Sequence, residues 1–199
     1  MKDLTEHFLE LVRLAATELA PDVVKAISDA RDNEENGSAA KGAMDAIMQN
    51  IEMAKEKSTP ICQDTGTPIF YVHYPEGWST RKLKAQIRDA VAKATEKTYL
   101  RPNAVDSLTG KNTGDNLGDD HYPTIHFEEM DGDILTVDLM LKGGGCENVG
   151  AQYKLPDSRL GAGRDLDGVR KVTLDAVYQA GVQVGAQGDE RLAGFASQQ

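Results

Sequence analysis

The N-terminal part of the chain has an apolar residue at every third or fourth position, as amphipathic helices do. The first such series predicts a helix and consists of Leu4, Phe8, Leu11, Ala15 and Leu19. Pro21 suits the first turn of a second helix. Ser38 is a suitable cap for a third helix, in which Met44, Ile47 and Met48 contribute to an apolar face that we expect to fill the core. These patterns predict an N-terminal layer of three helices.

The middle of the chain changes to the two-residue period of β-strands. Residues 69–74 are rich in aromatic and β-branched residues, and residues 124–129 and 134–141 alternate on either side of Asp131-Gly132. Because Asp-Gly favours tight turns, we expect the last two strands to form a hairpin. Ile125 and Phe127 then share a face with Leu135, Val137 and Leu139, and His126 lies on the other face.

Two further helices follow from capping signals. One is capped by Ser79 or Thr80, and the last is capped by Asp165 and ends at Gly181. The predicted fold class is therefore α+β, with an N-terminal helical layer followed by a mostly antiparallel sheet and covering helices. We expect residues 1–199 to form a single domain with an atypical tail at 182–199, which has no regular period.

Composition narrows the classes of function. The net charge is −10, which argues against a nucleic-acid partner because such binding depends largely on Lys and Arg. The sequence contains no run of roughly 20 apolar residues that would suit a membrane span. Two cysteines and an acidic start without a signal-peptide pattern predict a cytoplasmic protein.

The polar loop at residues 59–68 contains the first candidate chemistry. Pro60 and Pro68 limit helix formation, and Cys62, Gln63 and Asp64 stand between them. A thiolate can bind a metal, and a carboxylate beside it can transfer protons. The alternative is a Thr/Gly/Pro turn with an incidental buried cysteine.

Two other polar segments suit an anionic ligand. Arg101 precedes Pro102 in a long irregular stretch at residues 99–122 and offers a guanidinium group to a carboxylate. The segment Lys142-Gly143-Gly144-Gly145 directly follows a strand, so its backbone N–H groups can turn together towards an anion. The alternatives are a solvated arginine and a flexible turn. Neither nucleotide-binding glycine motif is present.

The polar segments form an ordered set of four motifs that resembles the class I, iron–sulfur fumarases and tartrate dehydratases, in their N-terminal region or separate α subunit. The resemblance covers residues 1–181 and rests on Cys62-Gln63-Asp64-Thr65-Gly66-Thr67, Arg101-Pro102-Asn103-Ala104, Asn112-Thr113-Gly114-Asp115-Asn116 and Lys142-Gly143-Gly144-Gly145-Cys146-Glu147-Asn148. It implies a hydro-lyase that adds or removes water on a 2-hydroxy dicarboxylate. It also implies a [4Fe–4S] cluster held by three cysteines, with one iron open as a Lewis acid.

The resemblance also assigns expected roles to individual residues. Cys62 matches a cluster ligand, and Asp64 matches the catalytic position for proton transfer. The positions that match substrate-binding residues are Gln63, Arg101, Gly144 and Gly145.

The sequence departs from the family pattern after the last predicted helix. Residues 180–185 contain no cysteine where the family has its second ligand, and Cys146 belongs to the glycine motif. We therefore expect an incomplete ligand set, a β subunit or C-terminal domain that acts in trans, and a homo-oligomer. The alternative is a non-catalytic, cluster-less family remnant that serves as an anion-binding or interaction module. The sequence does not distinguish fumarate from tartrate as the substrate.

Overall fold

The computed structural model describes residues 2–62, 66–106, 108–118, 122–144 and 150–186, with the backbone alone for residues 182–186. The chain divides into two compact units, Met1–Gly143 and Gly144–Gln199. The described elements of the first unit are α1 (Thr5–Thr17), α2 (Pro21–Asn33), α3 (Ala39–Lys57), β1 (Thr67–Pro75), α4 (Thr80–Glu96), β2 (Thr124–Met130) and β3 (Thr136–Lys142). The second unit contains α5 (Leu166–Ala186).

The predicted helix starts are confirmed, and local side chains explain most of them. The hydroxyl of Ser38 accepts a hydrogen bond from the Lys41 N–H at 3.0 Å, and that of Ser79 accepts one from the Lys82 N–H at 3.3 Å. Pro21 is the first residue of α2. Each cap satisfies a backbone donor that the helix itself leaves without a partner.

The predicted strands are present, but the hairpin prediction is wrong. The sheet order is β2-β1-β3, with β1 parallel to β2 and antiparallel to β3. Residues 131–135 pass from one edge strand to the other across the end of β1, where Pro75 pairs with Met130. Asp-Gly specifies a tight turn only when two residues separate the strands. Here the separation is longer, and the strand with the most buried side chains takes the centre. The α+β class is confirmed, with a mixed sheet.

One face of the sheet forms the core together with α1 and α4. Phe70 on β1 is fully buried and pairs in register with Ile125 and Leu139, as Val72 does with Phe127 and Val137. The predicted shared face of these residues is confirmed. On the opposite face, the rings of Tyr71 and His126 stack at 4.9 Å between centroids.

The apolar stripe on α3 is less buried than predicted. Only its last part enters the core, through Ile51 and Ala54, whereas the side chain of Ile47 is 44% exposed. Helix α2 packs against α3 and has no buried residue. The prediction that the Met-containing stripe fills the core is therefore wrong, because most of it lies outside the layer formed by α1, α4 and the sheet.

The final helix is longer than its sequence signals predict. Asp165 caps it as expected, since its carboxylate accepts a hydrogen bond from the Gly168 N–H at 2.7 Å. However, α5 continues past Gly181 to Ala186, so the predicted end at Gly181 is wrong. The rest of the predicted atypical tail lies outside the described residues, and the single-domain organisation stays a prediction. None of the helices in the described ranges is long and apolar enough to cross a membrane.

The two faces of β1 should respond differently to truncation. We expect Phe70→Ala to lower the free energy of unfolding by about 3–5 kcal/mol, because it opens a cavity in the core. Tyr71→Ala removes a stacked ring from the exposed face and should cost about 1 kcal/mol. Urea denaturation of both variants measures this difference, and equal losses would contradict the assigned faces.

Candidate functional site

The segment that leads to Cys62 is attached to two helices. The N–H of Ile61 donates to the carbonyl of Ala16 at 3.1 Å, and the side-chain amide of Asn50 donates to the carbonyl of Ile61 at 2.8 Å. Both backbone groups of the preceding residue are therefore fixed. Cys62 itself is a free, exposed cysteine. Because Cys62 is exposed, the alternative of an incidental buried cysteine is wrong. An exposed thiol is accessible to a ligand.

A charged network joins the ends of α1 and α3, from which this segment departs. Arg13 contacts Glu10 at 2.8 Å, Glu18 at 3.4 Å and the Ser58 hydroxyl at 3.4 Å. Lys55 also contacts Glu18 at 2.9 Å, and its hydrogen bond is the main reason that the pKa of Glu18 lies below its ordinary value. The network ties the two helix ends together next to the Cys62 segment.

Gly66 brings the Cys62 segment against the start of the glycine motif. Its φ is +80°, in the region that favours glycine. A Cβ at this position would lie 2.4 Å from the carbonyl carbon and oxygen of Lys142 and 2.7 Å from the nitrogen of Gly143. In addition, Thr67 pairs with Lys142 in the sheet. Two motifs that are far apart in sequence therefore meet backbone to backbone.

Tyr122 connects the start of β1 to α4. Its carbonyl accepts a hydrogen bond from the guanidinium of Arg88. Burial raises the pKa of its phenol, and a hydrogen bond with Thr67 partly opposes that rise. Thr67, which follows Gly66, is therefore held by its pairing in the sheet and, through Tyr122, by α4.

The Arg101 segment is ordered by two asparagines of the third motif. The buried side chain of Asn116 accepts hydrogen bonds from the N–H groups of Asn103 at 2.6 Å and Ala104 at 3.0 Å, and donates to the Arg101 carbonyl at 2.7 Å. Asn112 donates to the Pro102 carbonyl at 2.5 Å. Arg101 itself is exposed. The region predicted to be irregular is therefore held by specific side-chain hydrogen bonds.

The second unit fixes the segment that follows the glycine motif. The hydroxyl of Tyr153 donates to the Asp175 carboxylate at 2.7 Å, and Arg159 donates to the same oxygen at 2.9 Å. The hydrogen bond from Arg159, followed by that from Tyr153, lowers the pKa of Asp175, and the hydrogen bond to Asp175 raises the pKa of Tyr153. Asp175 lies on α5, so this helix anchors the loop before it.

The predicted site residues fall into two groups. The structure describes Cys62 and Arg101 in the first unit and Gly144 at the beginning of the second. Gln63, Asp64 and Gly145 lie outside the described residues. No local pattern assigns a role to Asn50 or Asn116, since nothing in the sequence shows which asparagine bonds to a distant backbone group. The inclusion of Asn116 in a motif was the one available signal.

The described residues do not supply a complete set of cluster ligands. Cys62 offers one sulfur donor, and no group of three or more His, Cys, Asp and Glu side chains that could hold a metal occurs among them. A [4Fe–4S] cluster held by three thiolates therefore does not fit the described part of this chain on its own.

Comparison with known proteins assigns the chain to a family. Residues 5–186 match the family described as fumarate hydratase (Fumerase). The chain belongs to the fumarate hydratase family, as the sequence motifs predicted. Class I members of this family are iron–sulfur enzymes, so membership implies such a cofactor in general.

The similar proteins include both predicted types. A Geobacillus stearothermophilus protein, provisionally named a class I fumarate hydratase, is 46% identical over 198 residues, which are 98% of this chain and 37% of that protein. A Methanocaldococcus jannaschii protein, provisionally named an L(+)-tartrate dehydratase subunit alpha, is 31% identical over 182 residues, 89% of this chain and 62% of that protein. The L(+)-tartrate dehydratase subunit alpha of Escherichia coli strain UTI89 is 31% identical over 145 residues, with 72% and 47% coverage. The chain spans less than two thirds of each of these relatives.

The close approach at Gly66 gives a prediction with a matched control. Gly66 and Gly77 both have φ near +80°, but a Cβ at Gly77 meets nothing within 4 Å. Gly77→Ala should therefore cost only the backbone strain of about 1–2 kcal/mol. Gly66→Ala should cost a further 1–3 kcal/mol or so, because the added methyl overlaps the Lys142 backbone.

Denaturant unfolding of the two glycine variants tests this contact, and amide signals of Lys142 and Gly143 should shift only in Gly66→Ala. Similar stabilities for the two variants would show that the Cys62 segment does not press against the glycine motif.

Proposed function

We propose that this chain is the N-terminal region or α subunit of an iron–sulfur hydro-lyase that adds or removes water on a 2-hydroxy dicarboxylate. The observation that carries the proposal is the contact of Gly66 with Lys142 and Gly143, which joins the cysteine motif to the glycine motif in a member of this family. The names of the similar proteins support fumarate or tartrate as the class of substrate.

The proposed binding groups are donors suited to carboxylates. Arg101 offers a planar guanidinium that can bind one carboxylate through two parallel hydrogen bonds. Gly144 and Gly145 offer backbone N–H groups to a second carboxylate, and Gln63 offers a side-chain amide. In general, donors that are held in place before binding bind an anion at little cost of reorganisation.

Asp64 is the proposed proton-transfer residue. A carboxylate can accept the proton that is lost from carbon when water is eliminated, and can return it in the reverse reaction. In the family pattern, the proton-transfer position directly follows the substrate-binding position that Gln63 matches. Asp64 occupies that place in this sequence, which supports the assignment.

Cys62 is the proposed cluster ligand contributed by this chain. A bound cluster with an open iron supplies Lewis acidity for the hydroxyl group. Since the described residues offer a single thiol, we propose that the remaining ligands come from a β subunit or a C-terminal domain.

Apolar residues on α5 support such a partner. Leu174 is 58% exposed and Val177 is 67% exposed, and Val169 and Tyr178 are about half exposed. Exposed apolar side chains on one helix are typical of a surface that another chain or domain covers. The subunit names of the tartrate dehydratase relatives support the same arrangement. We further propose that this chain forms a homo-oligomer. We also propose a cytoplasmic location, since reducing conditions preserve an exposed free thiol such as Cys62.

The rival function is that of a non-catalytic module that keeps the anion site. One observation favours it, namely the single thiol among the described residues. Both proposals include anion binding, so cluster assembly and turnover distinguish them.

Cluster assembly should require a partner. Under anaerobic reconstitution with iron and sulfide, we expect the chain alone to retain no stable four-iron cluster and to be inactive with malate, fumarate and tartrate. Co-expression with a β subunit or a C-terminal domain from a family member should give both cluster and activity. Cys62→Ser should abolish the assembled cluster in that complex.

Stoichiometric iron and sulfide in the isolated chain, together with malate dehydration, would overturn the incomplete ligand set. Failure of every complementation, with the chain folded and dicarboxylate still bound, would favour the non-catalytic module.

Dicarboxylate binding should not require the cluster. We expect weak, millimolar binding of fumarate or malate to the chain, because two charge-assisted contacts of roughly 1.5–3 kcal/mol each are offset by the entropy of association. Arg101→Ala should weaken binding about ten-fold or more. Cys62→Ser should leave it nearly unchanged, and binding should weaken with added salt.

Arg81→Ala is the matched control, since Arg81 is also exposed and its loss changes the net charge equally. Titration followed by amide signals at Gly144 measures the affinities. Equal binding by the parent and Arg101→Ala would contradict the proposed anion site.

A further inference from the structure

Asn116 uses the full hydrogen-bonding capacity of its side chain on the Arg101 segment and α4. It is 3% exposed and has a φ of 57°, a left-handed conformation that asparagine tolerates better than most residues. Its oxygen accepts from two backbone N–H groups, those of Asn103 and Ala104. Its amide nitrogen donates to the Arg101 carbonyl and to the Thr95 hydroxyl, the latter at 3.1 Å.

The partners of Asn116 require an amide. Thr95 already donates its hydroxyl proton to the Val91 carbonyl at 2.9 Å, so towards Asn116 it only accepts. The Arg101 carbonyl is likewise an acceptor. An aspartate would therefore place an oxygen against two acceptors, and an alanine would leave two backbone donors without this partner.

We propose that Asn116 is a positioning residue that fixes the backbone of Arg101 and thereby sets the affinity for a substrate carboxylate. This inference rests on the proposed function, in which Arg101 binds that carboxylate. The side chain of Asn116 holds the carbonyl of Arg101 and the N–H groups two and three residues later, and Pro102 between them has a fixed φ.

The Arg101 side chain therefore extends from an ordered backbone. A guanidinium that leaves from an ordered backbone loses less freedom when it binds a carboxylate than one on a mobile loop. Asn112 also helps to order this backbone, because its side-chain amide donates to the Pro102 carbonyl. The side-chain oxygen of Asn112 accepts a hydrogen bond from the Gly114 N–H at 2.7 Å. The third motif thus acts on the second through hydrogen bonds to its backbone.

The test compares fumarate affinity across a set of variants of the full 199-residue chain. Asn116→Ala should weaken binding about ten-fold, and the double variant Asn116→Ala/Arg101→Ala should bind no worse than Arg101→Ala alone. Hydrogen exchange at the amides of Asn103 and Ala104 should accelerate in Asn116→Ala. Asn116→Asp should lose at least as much affinity as Asn116→Ala.

Val12→Ala controls for loss of stability. Val12 is fully buried on α1 and makes no hydrogen bond through its side chain, so this variant should be destabilised while its fumarate affinity stays unchanged. A merely structural role for Asn116 would predict additive losses in the double variant and no specific dependence on Arg101.

The outcomes separate this inference from the proposed function. If Arg101→Ala weakens binding and a folded Asn116→Ala does not, the positioning role is overturned and the anion site stands. If neither variant weakens binding, both are overturned. If Asn116→Ala does not fold, the exposed Asn112→Ala decides: a loss of about three-fold supports the proposal, and unchanged affinity overturns it.

Discussion

The central position of β1 is the constraint on which the first unit depends. A strand with a partner on each side has its backbone groups satisfied from both directions, and Phe70 and Val72 fix its inner face in the core. Because register in a sheet is set by the buried face, this also fixes which residue pairs with Thr67. That residue is Lys142, so the strand that organises the core also brings the cysteine and glycine motifs together.

The structural features that could be predicted correctly from the sequence are those that depend on neighbouring residues. The caps at Ser38 and Ser79, the aromatic and β-branched composition of β1 and the alternation in β2 and β3 are local signals, and the structure contains the corresponding elements. The sheet order could not be read in the same way. Asp131-Gly132 suggested direct pairing of β2 and β3, but pairing is decided by the burial of residues distant in sequence, which placed β1 between them.

The candidate site shows the same difference between features set by neighbouring residues and features set by residues distant in sequence. Cys62, Arg101 and Gly144 were identified by their motifs, whereas the contacts that support them were not visible in sequence. Asn50 and Asn116 act through hydrogen bonds to backbone groups that are distant in sequence, whereas Asn33 and Asn36 are exposed. The fold sets the partners of these hydrogen bonds, so a local pattern does not reveal them. Amphipathic patterns have a similar limit, since they reveal an apolar face on α3 and α5 without revealing what covers it.

Metal binding and folding need not be coupled in the first unit. Its core closes around Phe70, Leu83 and Ile87, which are fully buried without any contribution from Cys62. Small metal-dependent domains differ, because their metal replaces a missing core. The backbone support of Arg101 likewise involves α4 and the third motif rather than the cysteine segment. The hydrogen bonds that order the Arg101 backbone are thus independent of the Cys62 segment, so the anion binding that we propose does not require the cluster ligands that we propose come from another chain or domain.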